Sequence, residues 1–443
     1  MTSFVTTLVP MAPWANWAGT EAAEPRKVVT PDATGQIVQE VEHALAHRGT
    51  VKMVGTGHSF TGISAPVGTM IRPDRFAGIV SVDRNAMTVT VLAGTPLHVL
   101  NAELGRLGLS LHNMGDIAEQ TIAGATSTGT HGTGGTVASL SAQIAAFTMI
   151  SGRGETITAS PTSFRDIYDV GRIGLGTLGI LTEITLHVEP LFALEAHEQP
   201  MTWDTAMATY DELTHDHHHV DVYWFPHTDL VMTKVNDRLA ELDGLRPLSR
   251  WKHWLDDEFL SNTVFGMLTT VGTHAPKSVP RLNRISGSAL SERSYSDIAH
   301  RVFTSSRRVR FKEMEYAVPR EVGLEALKEV RRVIDAAGWR IGFPVEIRSA
   351  PADDIALSTA SGRDSMYLAF HVPAKADHSD YFCGVEEVLR QYDGRPHWGK
   401  MHTLTAEGLA AVHPRFEEFL AVREKLDPAR IFTNPYLQHV LGD

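Results

Sequence analysis

The chain has 443 residues, 43% of them apolar, enough for two or three cores or for one core with a large second lobe. Its 40 basic and 52 acidic side chains leave a net charge of −12 with histidine neutral, which argues against nucleic-acid and anionic-membrane partners. The single cysteine, Cys383, forbids an intrachain disulfide and fits a reducing compartment. No segment approaches the roughly 20 apolar residues of a membrane span. The opening "MTSFVTTLVPMAPWANW" lacks the basic start and sustained apolar run of a signal peptide, so a cytoplasmic protein is expected.

In chain order, "GQIVQEVEHALAHRG" (Gly35 to Gly49) spaces its apolar residues as a helix does and ends in glycine. "VGTGHSFTGI" (Val54 to Ile63) has the glycine content of a turn that wraps phosphates, yet carries His58 and no lysine. "TVTVLAG" (Thr88 to Gly94) reads as a strand and "PLHVLNAELGRLG" (Pro96 to Gly108) as a helix opened by proline. "AEQTIAGATSTGTHGTGG" (Ala118 to Gly135) is a flexible linker or a phosphate-bearing loop, and the apolar segments on both sides favour the loop. "GLGTLG" (Gly174 to Gly179) matches the dinucleotide fingerprint by letter. The fingerprint requires a helix next, whereas "ILTEITLHV" alternates as a strand does, so a Rossmann site is rejected.

From Leu191 the glycine density falls. "HDHHH" (His215 to His219) suggests metal, but three consecutive histidines cannot face one ion in regular structure, and no metal is expected. The run reads as a solvated helix end leading into the strand "VDVYWFP". "WKHWLDDEFLSNTVFGML" (Trp251 to Leu268) reads as a core-facing helix, "SSRRVRFK" (Ser305 to Lys312) as a strand edge, and "EVGLEALKEVRRVIDAAG" (Glu321 to Gly338) as an amphipathic helix. In "VEIRSA" (Val345 to Ala350) a strand turns Glu346 and Arg348 to one face, as a surface ion pair or as the polar floor of a pocket. "RPHWGKMHTL" (Arg395 to Leu404) gathers His397, Trp398 and Lys400 around a glycine, which ordinary packing or a site would both explain. Neither H-E-x-x-H nor G-x-S-x-G occurs.

Taken together, "NWAGT", "VGTGHSF", "NMGDIAEQTIAGATSTGTHGTG", "GTLGILTEITL", "VRFKEMEYAVP", "EIRSAPADD", "HWGK" and "DPARIFTNPYL" closely resemble the FAD-dependent sugar-lactone and alditol oxidoreductases of the vanillyl-alcohol oxidase superfamily. The resemblance implies an α+β protein. A two-lobed FAD-binding domain (1–190) would be joined by a substrate domain with an antiparallel sheet flanked by helices (191–405). A segment (406–443) would return to the first domain.

It further implies FAD held covalently through His58, with Gly55, Thr56, Gly57 and Ser59 in a first phosphate loop. Asp116, Thr121, Gly124 and Thr128 would line a second, Ile180 would add backbone contacts, and His397 would touch the cofactor. Glu346, Arg348 and Lys400 would be catalytic, with Glu313 and His371 on the substrate side. The expected reaction oxidises a secondary alcohol of an aldono-1,4-lactone to an ascorbate-type product. Electrons would leave to oxygen or to an acceptor such as a cytochrome.

Two positions qualify the resemblance. Alditol oxidases have serine where Asp116 stands, which counts against a simple polyol as substrate. Gly115 takes the place of the alanine that obstructs oxygen in plant galactonolactone dehydrogenases. An alditol oxidase, a flavin-binding protein without turnover and a metal-dependent sugar hydrolase are the competing readings. The sequence sets neither the sugar nor the oligomeric state.

Overall fold

A computed structural model describes residues 13–249, 272, 275–288, 290–305 and 309–442. Strands β1 (Lys27–Val29), β2 (Val51–Met53) and β3 (Thr69–Ile71) form a parallel sheet in the order β1-β3-β2. Helix α1 (Thr34–His47) buries Ile37, Val41 and Ala44, which share a core with Val51, Ile71, Ile431 and Phe432.

An antiparallel sheet follows, built from β4 (Ile79–Asp83), β5 (Thr88–Leu92), β6 (Ile144–Ser151), β7 (Thr156–Ala159) and β8 (Gly179–His187) in the order β7-β6-β8-β5-β4. Strand β8 starts on the last glycine of "GLGTLG" and buries Ile180, Thr182, Ile184 and Leu186 on one face, as its alternation predicts. Helix α2 (Leu97–Arg106) follows Pro96 and buries Leu97, Leu100 and Leu104, while α3 (Ile122–Ser127) lies inside the glycine- and threonine-rich run. That run is therefore a turn, one short helix and a loop, not a linker.

The largest sheet is antiparallel and has eight strands. They are β9 (Ala193–Thr202), β10 (His219–Trp224), β11 (Leu230–Leu239), β12 (Arg293–Ile298), β13 (Phe311–Pro319), β14 (Val345–Ala350), β15 (Ser365–Pro373) and β16 (Arg395–Pro396). Their order is β12-β9-β11-β10-β14-β15-β13-β16. One face is apolar: Val220, Val222, Met314, Tyr316, Val345, Ile347, Leu368 and Phe370 pack under α4 (Trp203–Asp216), α5 (Arg320–Ala337) and α6 (Ser379–Arg390). The period of two then sends Asp221, Glu313, Glu315, Glu346, Arg348 and His371 to the opposite face.

The final segment packs on the first half of the chain. Phe416, Phe419 and Leu426 of α7 (Phe416–Leu426) and Leu437, Val440 and Leu441 of α8 (Pro435–Leu441) belong to one core with Val89, Leu100, Phe147 and Ile184.

Of the described residues in the basic run 305–312, only Phe311 and Lys312 belong to a strand, because β13 begins at Phe311. The expected helix at Trp251 to Leu268 lies outside the described residues. Among the described residues no helix is long and apolar enough to cross a membrane.

Asn434 ties the tail to the front of the chain. Its amide donates to the carbonyls of Gly62, Ile63 and Ala65 at 2.9, 3.2 and 3.0 Å, and its oxygen accepts from the Leu437 N–H at the start of α8. Asn434→Ala removes a helix cap and strands buried carbonyls, a loss of about 2–4 kcal/mol. The expected outcome is a thermal unfolding midpoint lowered by several degrees, read by circular dichroism; an unchanged midpoint would show that the tail is held elsewhere.

Candidate functional site

The turn after β2 is fixed by the segment "NWAGT". The Asn16 amide donates to Ser59 O (2.9 Å) and Thr20 Oγ1 (2.7 Å), and the Trp17 N–H donates to Gly57 O (2.7 Å). Gly57 sits at φ +73, a conformation that L side chains rarely adopt. The Trp17 indole stacks on the His58 ring, centroids 5.7 Å apart. Burial lowers the pKa of His58 below the ordinary histidine range, Glu119 opposes that shift and Lys400 adds to it, so the ring is neutral near pH 7.

His58 stands where two clefts meet. The first, of about 860 Å³, is lined by Gly55, Thr56, Gly57, Ser59, Thr121, Gly124, Thr128, Gly176 and Ile180 among others. Its walls touch: Thr121 Oγ1 caps α3 by accepting from the Gly124 N–H, and a Cβ on Gly55 would come within 2.7 Å of that oxygen. Lys52 of β2 reaches the same cleft and donates to Gly176 O (3.1 Å) and Phe432 O (3.3 Å). Burial, with Arg423 adding and Asp427 opposing, lowers its pKa to about 7.

The second cleft, of about 750 Å³, shares His58, Ser59, Gln120 and Thr128 with the first and opens onto the polar face of the large sheet. Arg348 contacts Glu346 Oε1 at 2.6 Å and Asp221 Oδ1 at 2.8 Å, with Asp116 Oδ2 at 3.9 Å. Burial opposes its charge, but the three carboxylates outweigh burial and keep the guanidinium ionised. Lys400 Nζ lies 2.5 Å from Glu313 Oε2, and His371 Nε2 lies 3.5 Å from Glu313 Oε1. Burial would raise the Glu313 pKa; Lys400 and His371 instead pull it down to about 2. Lys400 is ionised in turn, since Glu313 and Glu315 outweigh its own burial.

The loop that carries Lys400 is laced to its neighbours. The N–H groups of His397 and Met401 donate to Glu315 O and Glu313 O, the Phe60 N–H donates to Gly399 O, and the buried Trp398 indole donates to Leu357 O. Behind it, His131 Nε2 meets Glu315 Oε1 at 2.6 Å while its Nδ1 faces Gly132 O at 2.8 Å. Both ring nitrogens thus face acceptors. Burial works against Glu315 ionisation, yet His131 holds its pKa well below the usual range, so Glu315 is a carboxylate against the ring. His131, Glu315 and His397 bring ligand-type atoms within 4.8 Å of one another, but the hydrogen bonds to Gly132 and from Gly399 already use two of the ring nitrogens.

All of the expected site residues therefore gather at the two clefts, with one redistribution. Asp116, expected beside Thr121, Gly124 and Thr128, instead faces Arg348 in the second cleft, because the chain turns away before α3 begins. Glu346 and Arg348 form a buried floor, not a surface pair. The solvated-end reading of His215 to His219 is wrong for its last member: β10 starts at His219, which is fully buried against Phe303.

Asp221, Glu315, His131, Trp17 and Lys52 were missed. Glu315 had a signal, since it shares the Glu313 face of β13. Asp221 had none: its strand joins β14 across more than a hundred residues.

The two joined clefts suit an elongated cofactor, with glycine-rich walls at one end and a buried cation at the other. Residues 25–160 match the family model described as an FAD binding domain, so this is an FAD-binding oxidoreductase fold. Residues 184–440, more than half of the chain, match the model for D-arabinono-1,4-lactone oxidase, and the chain belongs to that family.

The chain is 37% identical over 429 residues to an L-gulono-1,4-lactone dehydrogenase of Mycobacterium tuberculosis, covering 97% of this chain and 99% of that one. It is 31% identical to an L-gulonolactone oxidase of Mus musculus (96% and 97% covered) and 29% identical to an alditol oxidase of a Streptomyces species (96% and 98% covered). In fold it is similar to cholesterol oxidase from B. sterolicum, with a TM-score of 0.83 at 17% identity over 97% and 96% of the two chains.

Proposed function

We propose that the protein oxidises an aldono-1,4-lactone of the gulono, galactono or arabinono type at a secondary alcohol, giving an ascorbate-type product. Electrons then pass to oxygen or to another acceptor. The observation that carries this reading is the second cleft: a floor of paired Glu346, Arg348, Glu313 and Lys400, reached from the first cleft past His58. The cleft also holds an excess of carboxylates over cations, which suits a neutral lactone better than an anionic sugar acid. The chain would divide near residues 190 and 405, and its single cysteine supports a reducing, cytoplasmic location.

Bound FAD supplies the two-electron acceptor for hydride leaving the carbinol carbon. Gly55, Thr56, Gly57, Ser59, Thr121, Gly124, Thr128 and Ile180 would hold its dinucleotide portion, and His397, in the second cleft, would touch the cofactor there. His58 would hold the flavin covalently at its 8α carbon. Its buried, neutral imidazole has the free lone pair that such a bond requires. Denatured wild-type protein should keep its flavin fluorescence on a gel and His58→Ala should lose it; flavin released in full by acid from the wild type overturns the linkage.

Glu346 contacts the reacting hydroxyl and accepts its proton, a role typically worth about 10²–10⁴-fold in rate. Arg348, pinned by Asp221 through Nε, turns its remaining N–H groups to the substrate oxygens. Lys400 would set a cation beside bound flavin to offset the negative charge of its reduced form, and one such preorganised charge is worth about 3 kcal/mol. Glu313 holds Lys400, with His371 beside it on the substrate side.

The test is anaerobic flavin reduction across lactones, alditols and aldonates. Lactones should bleach the flavin fastest. Lys400→Ala should slow reduction with little change in substrate affinity, Glu346→Gln should impair both, and Arg348→Lys should not restore binding. Fastest reduction by an alditol would establish the alditol oxidase reading in its place, and no reduction by any substrate would leave a flavin-binding protein.

Gly115 lines the second cleft, and a Cβ there would lie 3.0 Å from Thr130 Cγ2 and 3.3 Å from His131 O. With FAD bound, the glycine would leave the flavin open to oxygen on this side. Gly115→Ala should slow reoxidation by oxygen more than reduction by lactone in stopped flow; equal slowing of both steps would remove Gly115 from oxygen access.

A further inference from the structure

The histidine run that the proposed function leaves unused is hydrogen-bonded to the loop that carries Gly115 and Asp116. Arg238 is clamped at the surface end: both terminal nitrogens donate to Glu189, at 2.8 and 2.5 Å, and Nε lies 2.9 Å from His218 Nε2. His218 Nδ1 lies 2.7 Å from His219 Nδ1, and His219 Nε2 lies 3.2 Å from Asn113 Oδ1. The Asn113 Nδ2 faces the carbonyls of Thr133, Val137 and Ala138, while its Oδ1 accepts from the Met114 N–H at 2.9 Å.

Every proton along this line is determined. A guanidinium has no acceptor, so His218 Nε2 accepts from Arg238. Carbonyls have no donor and the Met114 N–H cannot accept, so the Asn113 amide has one orientation and its oxygen accepts from His219 Nε2–H. His219 Nδ1 is then the acceptor and His218 Nδ1–H the donor. Both rings are neutral, and protonating either one would set donor against donor. Burial lowers the pKa of His218 to about 4, with Arg238 and His112 adding and Glu189 and Asp237 opposing. It also lowers that of His219, with His218, His112, Arg238 and Lys234 adding. Space around Asn113 is as tight as the bonding: a Cβ on Gly132 would fall 2.3 Å from Asn113 Oδ1.

We propose that His218 and His219 are positioning residues, forming a one-directional hydrogen-bond chain from Arg238 to Asn113 that holds the 113–116 loop and so sets Asp116 against Arg348 in the substrate cleft. This assignment rests on reading the second cleft as the substrate site. Neither ring touches substrate. Each acts through Asn113, and the effect falls on how substrate is held before reaction.

The experiment compares His219→Phe and His219→Gln in the FAD-loaded enzyme. Phenylalanine keeps a ring against Phe303 but has no nitrogen; glutamine offers Oε1 to His218 and an N–H to Asn113. His219→Phe should raise KM for the lactone about tenfold with kcat within about threefold of wild type, and His219→Gln should return KM to within about threefold. An unchanged KM in His219→Phe, or a glutamine variant as impaired as the phenylalanine one, overturns the proposal.

Nitrogen-15 spectra of histidine-labelled protein read the chain without turnover, with assignments taken from signals lost in His218→Gln and His219→Gln. His218 should be protonated on Nδ1 and His219 on Nε2. The opposite tautomers, or a charged ring at pH 7, overturn the proposal even if His219→Phe does not fold. These tautomers in a protein that no lactone reduces would locate the failure in the substrate reading and leave the bonded chain standing.

Discussion

A charge taken out of water costs several kcal/mol unless it is paired at close range, and the second cleft is organised around that requirement. Asp116, Asp221, Glu313, Glu315 and Glu346 meet Arg348, Lys400 and His131, and each short contact serves two groups at once. Glu346 and Asp221 fix the guanidinium plane, Glu313 fixes the Lys400 ammonium, and Glu315 fixes His131. Removing Arg348 takes the close cation from both Glu346 and Asp221, and removing Glu313 takes the close carboxylate from Lys400, so the groups hold one geometry before substrate arrives. The sheet makes the arrangement affordable: the same strands that present these charges turn Met314, Tyr316, Val345, Ile347 and Phe370 to an apolar core on the other side.

Loops, unlike strands, lack a ladder to fix them, and three buried asparagines supply the fixing here. Asn16 holds the turn around His58, Asn113 holds the loop before Asp116, and Asn434 joins the tail to the residues after Phe60. Each amide donates to loop carbonyls through nitrogen while its oxygen accepts a backbone N–H, from Thr20, Met114 and Leu437 respectively. Aspartate could not donate and alanine could do neither. These positions therefore recur at segment junctions, where backbone groups have no strand partner.

What the sequence revealed follows from which interactions are local. Alternation in "ILTEITLHV" identified β8 and rejected the dinucleotide fingerprint, because a strand and a helix differ within a few residues. Spacing in "VEIRSA" placed Glu346 and Arg348 on one face but left open whether that face was wet. The answer depends on β10 and on the loop at Asp116, which lie far away in the chain. The histidine run was misread for a related reason: five polar residues look solvated, yet the strand begins within the run and carries its last member inward against Asn113 and Phe303. Glu315 was legible in principle, two residues beyond Glu313 in a strand whose alternate positions are apolar.

Charge also separates substrates that shape alone would not. A lactone and the aldonate formed by its hydrolysis share their hydroxyl groups but differ by one negative charge. In the second cleft four carboxylates, with Asp221 behind Arg348, face two permanent cations and the His131 ring, and contact among them is already close. A neutral ring can donate its hydroxyl protons to that acidic surface, whereas a carboxylate would enter an excess of like charge in surroundings that screen poorly. Asp116 sharpens the distinction, since its carboxylate faces Arg348, the group best suited to grip an anion. With Glu346 and Asp221 also on that guanidinium, its positive charge is spent on the protein, and what remains for substrate is the direction of its hydrogen bonds.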